Sequence, residues 1–304
     1  MSYIAQAQKA KVKPPILTIP GFPGAGKTTL AGLFQNPVFI QAEDSETIFE
    51  SVQFDNQPTF LPRLPKPNAK KNISTKAILL EQLRELATEK HDFQTLVIDT
   101  VTSLNFLLEL EIVEFFPGKE SNSVQDACGG FQKAYDIIAS WHNEIISACN
   151  HLRNHKNMGI VFLAHTGERK IKNNPELSGE YNVYGLNMHY KSEKIYTNLS
   201  DAVLYLKQIE YAQGHESGKK GETLKRGRIT KTAERILITA SDGVIGYVNA
   251  KTRYDRMPQE IAVPKGTNPI LQYIPFYDEY VKTNRLEVSQ EVENLTEEEE
   301  LKND

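Results

Sequence analysis

Residues 21 to 28, GFPGAGKT, fill every position of the pattern GxxxxGK[ST], and they follow the apolar run Ile16 to Ile19 directly. A backbone that turns through this octapeptide after a strand points successive N–H groups inward, and the concavity they form accepts phosphate oxygens. Gly21, Gly24 and Gly26 supply the freedom that such a turn needs. Gly21, Phe22, Pro23, Gly24, Ala25, Gly26, Lys27, Thr28 and Thr29 are therefore the candidate cradle for ATP. In it Lys27 reaches the β and γ phosphates and Thr28 ligates Mg2+. Helix-compatible residues run from Thr28 to Phe34, which sets the anion at a helix N-terminus.

The rest of the chain extends this beginning into an alternating pattern. Val38 to Gln41 is a short apolar run ending in Glu43 and Asp44, Thr95 to Asp99 (TLVID) a second, and Gly159 to Ala164 (GIVFLA) a third, closed by His165. Runs of this length and composition read as strands buried on both faces. Between them Ile78, Leu79, Leu83 and Leu86 recur at helical spacing, Val101 to Phe116 continues as a helix, and Phe131, Ala134, Ile138, Trp141, Ile145 and Leu152 mark a long one. The expected fold is an α/β P-loop nucleotide-binding fold: a mostly parallel central sheet, helices on both faces, and antiparallel strands added in the C-terminal third. Residues 1–15 read as a flexible lead-in, 16–285 as the folded domain with a basic hairpin at about 208–240, and 286–304 as a disordered acidic tail. The stretch 117–130 reads as a loop, as do roughly 35 tyrosine-rich residues after His165. A last helix is expected after Pro275.

Ligands of parallel sheets bind beyond the carboxyl ends of the strands, which is where Gly21 to Thr28, Glu43, Asp99 and His165 all fall. Asp99 closes an apolar strand, so it can be held rigidly near a metal; Thr100 or Thr102 is free to cap the following helix instead. Glu43 is the candidate to activate water, with Asp44 the alternative if it does not itself cap the helix-like SETIFESV. His165 stands where a side chain can sense the terminal phosphate. Lys251, Arg253 and Arg256 cluster soon after a later strand, and Lys251 or Arg253 can stabilise phosphate charge, from a neighbouring subunit if need be.

Charge adds a second theme. The chain carries −4, but Glu287 to Asp304 holds eight acids against Lys302, so that tail is −7 and the remainder +3. Residues 218–231 gather Lys219, Lys220, Lys225, Arg226, Arg228 and Lys231 against Glu222, a flexible cationic stretch suited to a phosphate backbone. Tyr181, Tyr184, His189, Tyr190 and Tyr196 offer ring faces on which unpaired bases can stack. Two cysteines, Cys128 and Cys149, form neither a CxxC motif nor a disulfide framework, which fits a reducing compartment. The N-terminus lacks an apolar segment of signal-peptide length, and Glu109, Glu111 and Glu114 interrupt the most apolar helix. A cytoplasmic chain without a membrane partner is expected.

The set GFPGAGKT, FIQAED, TLVIDT and GIVFLAHT, in this order and spacing, resembles the RecA-like ATPase core. NAKTRYDRMPQEI resembles the alanine-lysine-asparagine-arginine signature of phage-encoded nucleotide-binding proteins, some of which are single-strand annealing recombinases, with Thr252 in place of the asparagine. The likeness spans about residues 15 to 262. It implies that Lys27, Thr28 and Asp99 bind magnesium nucleotide, that Glu43 activates water, and that His165 lies on the sensor strand. It further implies that Lys251 or Arg253 acts across a subunit boundary of a ring or filament, and that the segments 117–130 and beyond His165 contact single-stranded DNA. No stretch of the sequence reads as the usual RecA oligomerisation strand or as a large DNA-gathering domain, so annealing or filament assistance is expected rather than strand exchange, in a host cytoplasm and with a single-strand binding protein as a further partner. A DNA-stimulated ATPase is the leading expectation; an ATP-switched loader with negligible turnover and a P-loop small-molecule kinase are the alternatives.

Overall fold

The computed structural model describes residues 11–43, 57–119, 122–171, 180–213, 228–240 and 248–282. The lead-in up to residue 10, Asp44 with the helix-like segment after it, and the acidic tail lie outside the described residues. The first strand, β1 (Ile16–Gly21), is buried at every position and runs into α1 (Lys27–Ala31) through the glycine turn. There follow β2 (Pro37–Gln41), β3 (Thr59–Phe60), α2 (Thr75–Thr88), β4 (Thr95–Asp99), α3 (Val101–Phe115), α4 (Lys133–His155), β5 (Gly159–Ile171), β6 (Tyr181–Leu186) and α5 (Tyr190–Leu199). The chain then adds β7 (Ala202–Val203), β8 (Tyr205–Gln213), β9 (Arg228–Ile238), β10 (Lys251–Thr252) and β11 (Glu260–Ala262).

The sheet runs β11-β9-β8-β1-β5-β4-β2-β3, with β7 beside β1 and β10 beside β7. From β8 to β3 neighbouring strands are parallel, whereas β9, β10 and β11 join antiparallel, as the change of pattern in the C-terminal third predicts. Strand side chains alternate between two cores. Ile16, Ile40, Leu96, Ile98 and Phe162 pack under α2, α3, α4 and α5 with Leu83, Leu104, Ile145 and Tyr196. Leu17, Ile19, Phe39, Val97 and Leu163 pack on the other face against Leu30 and Phe34. That second face is closed by the short α1 and by C-terminal 3-10 turns at Pro269–Tyr273 and Pro275–Tyr277, whose Ile270 and Tyr277 are buried there. After the second turn the chain becomes α-helical over residues 278–282, up to the last described residue, in keeping with the helix expected after Pro275.

Three expectations are corrected. The helix after the glycine turn ends at Ala31, with Gly32 as its C-cap, rather than reaching Phe34. The stretch after His165 is not a loop: β5 continues to Ile171 and pairs antiparallel with β6, and α5 follows. Phe131 stands 95% exposed at a positive φ and lies outside α4. The segment 117–130 contains a 3-10 turn at Ala127–Gly129.

The N-terminal end of β1 is fastened by one carboxylate. Asp201 accepts from the Ile16 N–H at 3.0 Å and from Arg153 at 2.7 Å, while its own N–H donates to the Ile16 carbonyl. Arg153 also donates to the Pro14 carbonyl. At the other end, a Cβ on Gly21 would come within 2.5 Å of the Leu206 carbonyl oxygen, so only glycine lets β8 approach there.

Candidate active site

Register aligns the carboxyl ends of the parallel strands. Gly21 sits opposite His165, Gln41 opposite Asp99, and the Ala42 N–H donates to the Asp99 carbonyl. The glycine turn, Glu43, Asp99 and His165 therefore share one sheet edge, although His165 is inside β5 rather than at its end. It is the last β5 residue paired with β1; from Thr166 the strand pairs with β6.

Within the turn Gly26 adopts φ 92°, the left-handed region that favours glycine, and its carbonyl accepts from the Leu30 N–H to start α1. Lys27 is buried, and its Nζ donates to the carbonyls of Gly21 at 3.0 Å and Phe22 at 3.1 Å. Burial lowers its pKa, against the opposing pull of the Asp99 and Glu43 charges. Phe22 leaves the cradle to meet Tyr184 edge-on, with ring centroids 5.3 Å apart.

Thr28 and Asp99 form the second part of the site. The Thr28 hydroxyl donates to Asp99 Oδ2 at 2.7 Å, and Asp99 is fully buried. The helix-capping duty falls to Thr100, whose hydroxyl accepts from the Ser103 N–H, leaving Asp99 at the strand end as expected. A hydroxyl touching a buried carboxylate is a donor set that suits Mg2+, which takes one or two protein oxygens and fills its remaining positions with phosphate and water. Among the described residues no group of three or more His, Cys, Asp or Glu side chains could hold a metal by itself.

Glu43 and His165 make the third part. His165 Nε2 lies 3.1 Å from one Glu43 carboxylate oxygen and 3.2 Å from the other, and the Ser103 hydroxyl donates to the same carboxylate at 2.6 Å. The other ring nitrogen of His165, Nδ1, is 3.5 Å from Lys27 Nζ. An ammonium can only donate, so the arrangement suits a ring that accepts at Nδ1 and donates from Nε2. Burial raises the Glu43 pKa, but hydrogen bonds from His165 and Ser103, with the nearby Lys27 charge, outweigh it and hold the group below the usual carboxylate range. Glu43 is thus an ionised acceptor at neutral pH. It also borders a cavity of about 880 Å³ whose rim includes Arg63, Lys66, Phe106 and Asn187.

Other sequence candidates are not brought to this edge. Lys251 pairs with Val203 and Thr252 with Ala202, and Ala202 is level with Leu17, so β10 lies towards the far end of β1 from the cradle. There Arg253 bonds Asp201 at 3.3 Å and Lys251 donates to the Asn198 carbonyl. Both side chains are engaged there, away from the glycine turn of their own chain. Lys219, Lys220, Lys225 and Arg226 lie outside the described residues; Arg228 opens β9, paired with Gln213 at the end of β8. Tyr196 is not available for stacking on bases, being fully buried with its ring against Phe162 and its hydroxyl 2.7 Å from His142 Nδ1. His189 stacks on Tyr135 at 4.1 Å.

From the sequence, Thr102 has no role beyond capping and Ser103 has none. Thr102 accepts from the His165 N–H at 3.0 Å, so the hydroxyls after Asp99 fix both His165 and Glu43. Their signal was present in the run TVTS directly after the strand-end aspartate.

With this geometry in place, comparison with family models matches an AAA domain over residues 13–254. The chain belongs to the AAA-domain family. The match covers the glycine turn, Asp99, Glu43, His165 and β10, and membership makes the protein a P-loop nucleotide-binding ATPase of AAA type. Its mixed, mostly parallel sheet with flanking helices fits that fold. A search of curated proteins returned no match. Among the described residues no helix is long and apolar enough to cross a membrane.

Proposed function

We propose that this AAA-domain protein hydrolyses ATP and that its nucleotide state governs assembly on single-stranded DNA, in phage-type recombination or replication. The observation that carries the hydrolytic half is the convergence of Lys27, the Thr28–Asp99 pair and the Glu43–His165 pair on one sheet edge. Lys27 would grip the β and γ phosphates, and Thr28 and Asp99 would hold Mg2+, directly or through its waters. Mg2+ supplies neutralisation of phosphate charge. Glu43, ionised and fixed by Ser103 and His165, orients a water in line with the terminal phosphate and accepts its proton. His165 links that carboxylate to Lys27, so loss of the terminal phosphate can be felt at both.

Support for the nucleic-acid half is chemical. The strand order, with β5 between β1 and β4, is compatible with the RecA-like core that the sequence resembles. Arg63, Lys66 and the exposed ring of Phe106 border the cavity beside Glu43, a combination of cations and an aromatic face that suits an unpaired strand. The cationic residues between β8 and β9 add to it. Lys251 and Arg253, remote from their own cradle, are left with a role towards a neighbouring subunit of a ring or filament.

Phosphate release from ATP, measured with and without single-stranded DNA at several salt concentrations, tests the reading. Stimulation that fades steeply with salt supports it. ATP binding without turnover would select the assembly switch instead, and phosphate transfer to a nucleoside would select a kinase.

A further inference from the structure

β8 and β9 continue past the level at which β1 ends. Leu206 is level with Gly21, so the antiparallel pair beyond Leu206 and Leu237 extends past the sheet edge on the side of the cradle. Arg235, opposite Gln208, is at the root of this extension, and its carbonyl is tied to the Val263 N–H at 2.9 Å. Its guanidinium reaches back over the glycine turn: a Cβ built on Gly26 would meet Arg235 Nη1 at 2.6 Å and Cζ at 2.7 Å. The planar cation therefore lies on the Gly26 backbone, next to Lys27. Its Nε is buried and has no hydrogen-bond partner among the described residues.

A guanidinium with a buried, unanswered donor beside a concave run of backbone N–H groups is matched to an anion, because burying such a donor without an acceptor is costly. We infer that Arg235 is a phosphate-contacting residue of the nucleotide site, supplied by the same chain from the β8–β9 pair. The inference rests on the proposed ATP site and adds a second cation to it. Arg235 differs from Lys27 in kind. Lys27 belongs to the turn, whereas Arg235 belongs to the strand pair that carries the cationic residues 218–231, so the nucleotide and that pair would be joined through one side chain.

The test is equilibrium binding of ATP and of inorganic tripolyphosphate, each with Mg2+, to the wild-type chain and to R235A, R235M and R235K, with thermal melting to verify folding. R235M retains most of the side-chain stem, so a packing defect is separated from loss of the cation. R235A and R235M are expected to weaken both ligands in parallel, by roughly ten- to a hundredfold, and R235K to recover part of that loss. Affinity unchanged in folded R235A and R235M overturns the inference. So does a loss confined to ATP, which would put Arg235 on the base, or a loss confined to single-stranded DNA measured without nucleotide. If the wild-type chain binds neither ligand, the ATP reading itself falls, a result distinct from a variant that binds as the wild type does.

Discussion

His165 and Glu43, 122 residues apart in sequence, meet at 3.1 Å across the end of a strand to which neither belongs. Glu43 follows β2 and His165 is on β5, and β4 with its terminal Asp99 lies between them. The carboxylate reaches across the end of β4 and is held from the far side by imidazole. A carboxylate fixed in this way is ionised and oriented before any ligand arrives.

Glu43→Gln keeps the hydrogen-bonding outline of the side chain and removes its basicity. Single-turnover phosphate release is expected to fall by about a hundredfold or more while ATP affinity stays within a few-fold. Hydrolysis at the wild-type rate would remove Glu43 from the base role.

Ser103→Ala leaves Glu43 with His165 as its side-chain partner and frees its rotation. The expected result is a decrease in kcat of roughly tenfold with little change in ATP affinity, since positioning rather than binding is lost. A raised KM with kcat intact would mean that Ser103 serves binding instead.

Asp99→Asn alters charge without altering shape, so the cradle should persist and the response to Mg2+ should not. Titrating Mg2+ against hydrolysis is expected to show a requirement raised at least tenfold over wild type. Identical Mg2+ curves would exclude Asp99 from the metal.

The pH dependence of stability should carry the signature of His142. This ring is fully buried between the Tyr196 hydroxyl and the Asn105 side-chain oxygen at 3.1 Å, and burial pulls its pKa down to about 3 from an ordinary 6.5. Between those two values the unfolded chain takes a proton that the folded chain refuses, so acidification favours unfolding, by up to about 1.4 kcal/mol for each pH unit. Above pH 6.5 the ring contributes no slope. Urea midpoints from pH 7.5 to 4.5 should fall for the wild type and flatten in His142→Gln; a flat wild-type curve would contradict a buried neutral ring.

Much of the fold was legible because its strands are buried on both faces. ILTIPG, PVFIQ and TLVID read as apolar runs from composition, and Asp99 could be placed by its position after one of them. Lys27 and Thr28 were legible because the turn is local. The Glu43–His165 contact was not, since it depends on β5 being inserted beside β4 rather than added at an edge, and strand order is decided by the packing of whole faces. Tyr196 shows the limit in reverse. It was read as a surface ring in a polar stretch, yet α5 puts Ser192, Glu193 and Tyr196 on its inward side at spacings of one, three and four residues. Arg235 gave no signal, because its meaning lies in the close approach of its guanidinium to Gly26.

The strand that presents the cradle is moored at both extremities, by Asp201 at Ile16 and by the pairing of Gly21 with Leu206 of β8. Most of the entropy of shaping the phosphate turn is thus spent during folding, and little remains to be lost when the ligand docks. Damage to the distant mooring should loosen the grip on the triphosphate even though that mooring lies a full strand's length away.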